Sequence, residues 1–72
     1  MNLSEVKPGT TVKIKKITGD SNLKTRFLDM GLTKGTYIKV VKKAPLKDPI
    51  EVEVRGYSLS LRVNEAKYIE VE

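Results

Sequence analysis

Three consecutive segments after residue 25 decide the fold of this chain: RFLDMGLTKGTYIKV (residues 26–40), APLKDPIEVEVRGYSLSL (44–61) and RVNEAKYIEV (62–71). The first segment opens as a short apolar helix and stops at a glycine. Runs in which apolar and polar residues alternate then follow, and glycine or proline bounds each run. Alternation of this kind is typical of half-buried strands joined by tight turns.

Five strands are predicted in total. Residues 10–17 (TTVKIKKI) alternate until Lys16, where a bulge would return Ile17 to the core side. The four later strands are expected at 36–43, 50–54, 58–63 and 69–71. A helical turn over residues 64–67 is expected before the last strand. Five short strands at this spacing indicate a small barrel.

One helix of about nine residues is predicted between the first two strands, at residues 22–30. Asp20 or Ser21 can accept hydrogen bonds from its first free N–H groups. Gly31 fits the left-handed position after the last turn, where Leu32 would fold back on Phe27. A helix this short depends on packing against the strands, because its intrinsic propensity is not sufficient.

Length and composition narrow the classes of function. The chain has 72 residues, the size of one domain spanning residues 1–72. It contains neither cysteine nor histidine, so the usual ligands of structural zinc, haem and iron–sulfur clusters are missing. No nucleophile has a candidate base, and no phosphate-binding glycine loop is present. We therefore expect a binding domain without catalytic residues or a cofactor.

The order and the wording of these elements resemble the FeoA family. Its members begin with a leucine and a Pro-Gly turn, and their arginine-containing helix ends in Met/Leu-Gly-Leu. An Ala-Pro-Leu…Asp-Pro loop, a Gly-Tyr hairpin, a Leu-Ser/Ala-Leu-Arg strand and a Glu-Ala turn follow. The matching residues are Leu3, Pro8-Gly9, Arg26, Leu28, Met30-Gly31-Leu32, Gly35, Ala44-Pro45-Leu46, Asp48-Pro49, Gly56-Tyr57, Leu59–Arg62 and Glu65-Ala66. Lys47 departs from the glycine that is frequent in the proline loop.

The resemblance implies a mainly β fold. This is a small SH3-like five-stranded barrel with one short α-helix between the first and second strands and a helical turn before the last strand. It also implies a cytoplasmic accessory protein of ferrous-iron uptake. Such a protein would bind the membrane transporter FeoB, which has a GTP-binding domain, and influence its assembly or GTP cycle. We expect recruitment to the inner face of the membrane through the transporter, without membrane insertion.

The helix and the proline loop are the predicted contact surface, because they combine apolar and charged residues as protein interfaces do. The predicted partner-binding residues are Leu23, Lys24, Arg26, Met30, Lys43, Leu46, Lys47 and Asp48. Arg26 has two interpretations: it clamps a partner carboxylate, or it pairs within the domain with Asp29 or Asp48. Phe27 and Leu28 are expected in the core. Arg62 and Glu65 are expected to pair or to cap the helical turn.

Charge raises an alternative function. Residues 1–47 contain eleven Lys and Arg against three Asp and Glu, whereas residues 48–72 contain three against six. A basic segment suits phosphates, acidic proteins or anionic lipids, or it only keeps a small domain soluble. A nucleic-acid-binding SH3-like module is the alternative, but base stacking needs aromatic residues among the lysines. Only Tyr37 beside Lys39 meets this, so we expect no specific nucleic-acid partner.

Metal ions are predicted to leave folding unchanged. Without His or Cys, only carboxylates remain as ligands, and their spacing matches no calcium loop. Thermal unfolding followed by circular dichroism should give overlapping curves with a chelator, with micromolar Fe²⁺ and with Zn²⁺. Stoichiometric binding by calorimetry, together with a shifted melting temperature, would contradict this prediction.

Overall fold

A computed structural model describes residues 1–46 and 48–72. Its elements are a 3-10 turn at Leu3–Glu5, β1 Thr11–Ile17, α1 Ser21–Asp29, β2 Tyr37–Lys43, β3 Ile50–Val54, β4 Tyr57–Leu61, α2 Val63–Ala66 and β5 Ile69–Val71. The strands form one antiparallel sheet in the order β4-β3-β2-β1-β5. None of the described helices is long and apolar enough to cross a membrane.

The sheet curls because β1 pairs with two different neighbours. Its first half, residues 11–13, pairs with β2, and its second half pairs with β5. A register shift between Ile14 and Lys16 separates the two halves, one residue earlier than the predicted bulge. Ile17 is half-buried against the core, as expected. Such a bulge bends a strand and lets a short sheet close on itself.

Among residues 1–46 and 48–72, the core is entirely apolar. It contains fifteen buried residues, namely Leu3, Val6, Val12, Ile14, Phe27, Leu32, Ile38, Val40, Ile50, Val52, Val54, Leu61, Ala66, Ile69 and Val71. The prediction for Phe27 is confirmed, but that for Leu28 is wrong, because its side chain is 57% exposed. Neighbouring residues of a helix point about 100° apart, so a helix with a narrow apolar stripe buries one of them and exposes the other.

Hydrogen bonds at its two ends set the start and the end of α1, as predicted. The Asp20 carboxylate accepts a hydrogen bond from the backbone N–H of Leu23 at 2.8 Å. At the other end, the N–H of Gly31 donates to Leu28 O and that of Leu32 to Phe27 O, both at 2.9 Å. With Gly31 at φ +83°, these two bonds form a Schellman motif. The chain therefore turns back at once and buries Leu32 beside the helix.

Several predicted boundaries differ from the structure by one residue, and the end of β4 differs by two. The alternation suggested that β4 continues to Val63, whereas Val63 is the first residue of α2. The backbone N–H of Arg62, directly before it, donates to the carboxylate of Glu65 at 3.0 Å. This local bond favours a helical turn one residue earlier than the apolar pattern indicates.

Replacing Gly31 with alanine tests the helix stop. A Cβ here would lie 3.0 Å from the hydroxyl of Tyr57, which donates to the carbonyl of Met30 at 2.6 Å. We expect Gly31→Ala to cost about 1–2 kcal/mol of backbone strain, with about 1 kcal/mol more from disturbing that hydrogen bond. Gly35→Ala is the matched control, because φ is +87° and no atom lies within 4 Å of its new Cβ. Urea unfolding measures both, and equal losses would show that the Tyr57 contact carries no cost.

Candidate functional site

Helix α1 presents most of its surface to solvent. Phe27 is its buried residue, whereas Lys24 and Arg26 are exposed. Leu23 and Met30 are half-buried and pack against the core. Of the predicted partner-binding residues on the helix, Lys24 and Arg26 are therefore the most open to another molecule.

Arg26 is tied to α2 by an ion pair. Its guanidinium contacts one carboxylate oxygen of Glu65, and the two side chains are 58% and 12% exposed. Of the two interpretations of Arg26, pairing within the domain is the one observed, but the partner is Glu65, and Asp29 and Asp48 were the wrong partners. The fold brings Glu65, 39 residues further along the chain, within reach of Arg26, a proximity that spacing along the chain does not reveal.

Glu65 makes two contacts at once. Its Oε1 accepts the hydrogen bond from the Arg62 backbone N–H at 3.0 Å, while its Oε2 faces Arg26. The expectation that Glu65 caps the helical turn is confirmed. The same carboxylate thus stabilises the start of α2 and orients a cation on α1.

Asp48 ties the proline loop to α2. Its Oδ1 accepts a hydrogen bond from the backbone N–H of Val63 at 3.1 Å. The loop tip beyond it is open, since the Leu46 side chain is 90% exposed. The helix and the loop are thus both attached to α2. We call Lys24, Arg26 and Leu46, with Asp48 at the loop base, the docking surface, because a partner is predicted to bind here.

Two open depressions lie beside these contacts. The larger has a volume of about 390 Å³ and is lined by Gly19, Asp20, Asn22, Leu23, Arg26 and Tyr68. The smaller, of about 260 Å³, is lined by Asp48, Pro49 and Arg62. Sequence analysis did not assign Tyr68 or Arg62 to this surface. Only the order of the strands and helices brings them beside α1 and the loop.

Four predicted residues are not included in the docking surface: Leu23 and Met30, which pack against the core, and Lys43 and Lys47. The Lys43 ammonium group donates to the carbonyl of Ser4 at 3.0 Å, so this half-buried side chain holds the N-terminal turn. Lys47 lies outside the described residues. The partner-binding role of the whole predicted set stays a prediction.

A separate basic face lies on β1 and β2. Lys13, Lys15 and Lys34 surround one depression together with Glu72. Across the strand pair, Lys13 lies opposite Tyr37, which is 64% exposed, and Lys39 lies opposite Thr11. We call Lys13, Lys15, Lys34 and Lys39 the basic face. Within the described part of the chain, Tyr37 is the aromatic residue among these lysines, whereas Tyr57 holds the end of α1.

No metal-binding cluster is evident in the residues that the structure describes. Among residues 1–46 and 48–72, no three acidic side chains are close enough to hold an ion together. Four of the carboxylates, those of Glu5, Asp20, Asp48 and Glu65, already accept hydrogen bonds from backbone N–H groups. The metal independence of folding stays a prediction.

Comparison with known proteins decides the family. The FeoA domain family matches residues 1–72. The chain belongs to this family. It is 40% identical over 72 residues to an Fe(2+) transport protein A/Fe(2+) transporter FeoB fusion protein of Porphyromonas gingivalis, matching 100% of this chain and 8% of the fusion. The predicted family is thus confirmed, and the chain spans only a small part of that relative.

Solved structures confirm the fold of this FeoA domain. A FeoA-like protein from Clostridium acetobutylicum has a TM-score of 0.93 and 46% identity, with 100% of this chain and 84% of that one covered. FeoA of Stenotrophomonas maltophilia, a procaryotic SH3 domain protein complexed with zinc, has a TM-score of 0.86 and 28% identity. The match covers 100% of this chain and 89% of that one. The predicted SH3-like five-stranded architecture is therefore confirmed.

The double role of Glu65 can be tested by two substitutions. Glu65→Ala removes the cap and the ion pair together, and we expect a loss of about 1–2 kcal/mol in the free energy of unfolding. Glu65→Gln keeps an oxygen for the Arg62 N–H and loses the charge. Because Arg26 is more than half exposed, we expect Glu65→Gln to lower the free energy of unfolding by less than about 1 kcal/mol. Urea unfolding compares the two variants, and equal losses would show that the charge, not the cap, is what matters.

Proposed function

We propose that this FeoA domain is a cytoplasmic accessory protein of ferrous-iron uptake that binds a FeoB-like transporter and influences its assembly or GTP cycle. The observation that carries the proposal is the relative in which Fe(2+) transport protein A and FeoB form one polypeptide. Fusion keeps two modules at high effective concentration, which favours a working contact between them. A separate chain needs a surface of sufficient affinity to reach the same state.

The docking surface has the chemistry of a protein interface. Arg26 stays 58% exposed even in its ion pair, and Lys24 lies on the same helix. Leu46 offers an apolar anchor at the loop tip, and Asp48 fixes the base of that loop. An anchor on a loop that is already held in place loses less entropy on binding. The two cations favour an acidic patch on the transporter's cytoplasmic side.

Binding alone is sufficient for the proposed regulation. The sequence predicts no catalytic residues, so the domain would act by preferring one conformation of its partner. A ligand shifts a conformational equilibrium only by the difference between its affinities for the two states. A rise or a fall in GTP hydrolysis on adding the domain would report which state of the transporter it prefers.

Substitutions on the docking surface test the proposal. We expect Leu46→Asp and Lys24→Glu each to weaken binding to the purified transporter about tenfold or more, which corresponds to about 1.4 kcal/mol. Both side chains are exposed, so folding should be unchanged by circular dichroism. Lys39→Glu, on the basic face, is the matched charge control and should bind like the wild type. Biolayer interferometry against the transporter in nanodiscs gives the affinities.

The outcomes separate the surface from the function. Wild-type affinity in both docking-surface variants would move the interface elsewhere. Absence of binding by the wild-type chain, with unchanged GTP hydrolysis, would contradict the proposed function itself. Arg26→Glu is avoided, because it would set two carboxylates together beside α2 and disturb the fold.

A further inference from the structure

The two edges of the sheet differ. At β5, the backbone N–H of Val71 donates to the carbonyl of Met1 at 2.9 Å, and Asn2 forms a bridge with Glu70. The N-terminal residues therefore cover that edge. At the opposite edge, β4 pairs with β3 on one side, and none of the described residues pairs with it on the other.

The turn before β4 determines which of its backbone groups point outward. Arg55 and Gly56 form a two-residue turn with φ of 52° and 85°. In such a turn the flanking residues, Val54 and Tyr57, form a hydrogen-bonded pair, and the pattern alternates from there. The backbone of Leu59 then faces β3, and those of Ser58 and Ser60 face outward. No backbone group of the described residues hydrogen-bonds to either serine across this edge.

This open edge lacks the devices that usually protect one. Proteins blunt exposed edges with lysine, proline or bulges. The sequence of β4 is YSLSL, without charge or proline, and its register with β3 is regular along Tyr57–Leu61. Ser58 and Ser60 are exposed, and Leu59 between them is only half-buried. A strand added here would gain backbone hydrogen bonds and cover more of Leu59.

We propose that β4 pairs with β4 of a second copy of this chain, antiparallel and about a two-fold axis at Leu59. This register sets Ser58 of one copy opposite Ser60 of the other, so the outward-facing groups of both residues can form four hydrogen bonds. The two Leu59 side chains meet at the axis in the close, non-hydrogen-bonded position. The patch is self-complementary, as a two-fold interface requires.

Charge does not oppose a second copy as the occupant, and the occupant is chosen by the self-complementary register. Glu53 and Glu51 of β3 lie opposite Ser58 and Ser60, so they stand one strand behind the edge. In the joined sheet, the glutamates of the two copies are three strand spacings apart, about 14 Å. That exceeds the screening length of about 8 Å at physiological salt. The short strand buries less than the roughly 1,000 Å² of a stable interface, so the dimer is weak and depends on concentration.

Paired substitutions at the two serines test the proposal without any transporter. Ser58→Lys with Ser60→Lys sets ammonium groups opposite Glu53 and Glu51 within the monomer, which supports its fold. In the dimer the same groups face each other directly and repel. Ser58→Thr with Ser60→Thr is the matched neutral control. Sedimentation equilibrium from about 10 µM to about 1 mM should show a monomer–dimer transition for wild type and control, weakened at least tenfold in the lysine variant.

Amide hydrogen exchange identifies the edge. Protection of the Ser58 and Ser60 amides should rise with protein concentration, whereas that of Leu59 should not change, since its N–H is bonded within the monomer. A wild-type protein that stays monomeric through the whole range overturns the proposal. Protection of the two serine amides in a monomer only when transporter is added also overturns it, because the occupant would then be a transporter strand. Either result leaves the test of the docking surface unaffected.

Discussion

The attachment of α1 to the barrel depends on the burial of one side chain. Phe27 is the buried residue of a nine-residue helix and the largest side chain of the core. A helix of this length is marginal in water on its own, so packing must hold it. Directly after the helix, the turn at Gly31 buries Leu32 as a second anchor. The positions of the exposed cations on α1 follow from these two apolar contacts.

A few hydrogen bonds and one ion pair position α1, α2 and the proline loop relative to one another. The carboxylates of Glu65 and Asp48 both accept backbone N–H groups at α2, from Arg62 and Val63. Because Glu65 also contacts Arg26, the helix, the helical turn and the proline loop form one connected set. Neither of these two carboxylates lies in the core, which is wholly apolar in the part of the chain that the structure describes. Burial of apolar side chains therefore stabilises the domain, and these polar contacts fix the positions of α1, α2 and the proline loop.

Local chemistry made most of the fold predictable. The glycine stop at Gly31, the cap at Asp20 and the strand alternations each depend on residues near one another in sequence. Two predictions failed because they depended on more than local sequence. The orientation of α1 about its axis buries Phe27 and leaves Leu28 in solvent. The partner of Arg26 is Glu65, a residue distant in the sequence. The family and its fold followed from the ordered motifs. The residues of the docking surface could be predicted only as two separate segments. The contacts that connect these segments run through α2, and they depend on the tertiary structure.

The uneven distribution of charge over the sheet affects how the molecule is oriented when it diffuses towards a charged surface. The basic face on β1 and β2 lies beside a strand that carries Glu51 and Glu53. The molecule measures 30 × 22 × 21 Å, which is more than twice the distance of about 8 Å over which physiological salt screens a field. Its two sides therefore feel different potentials near any charged surface. The resulting torque turns a tumbling molecule during diffusion, so its first collision with such a surface is already biased in orientation.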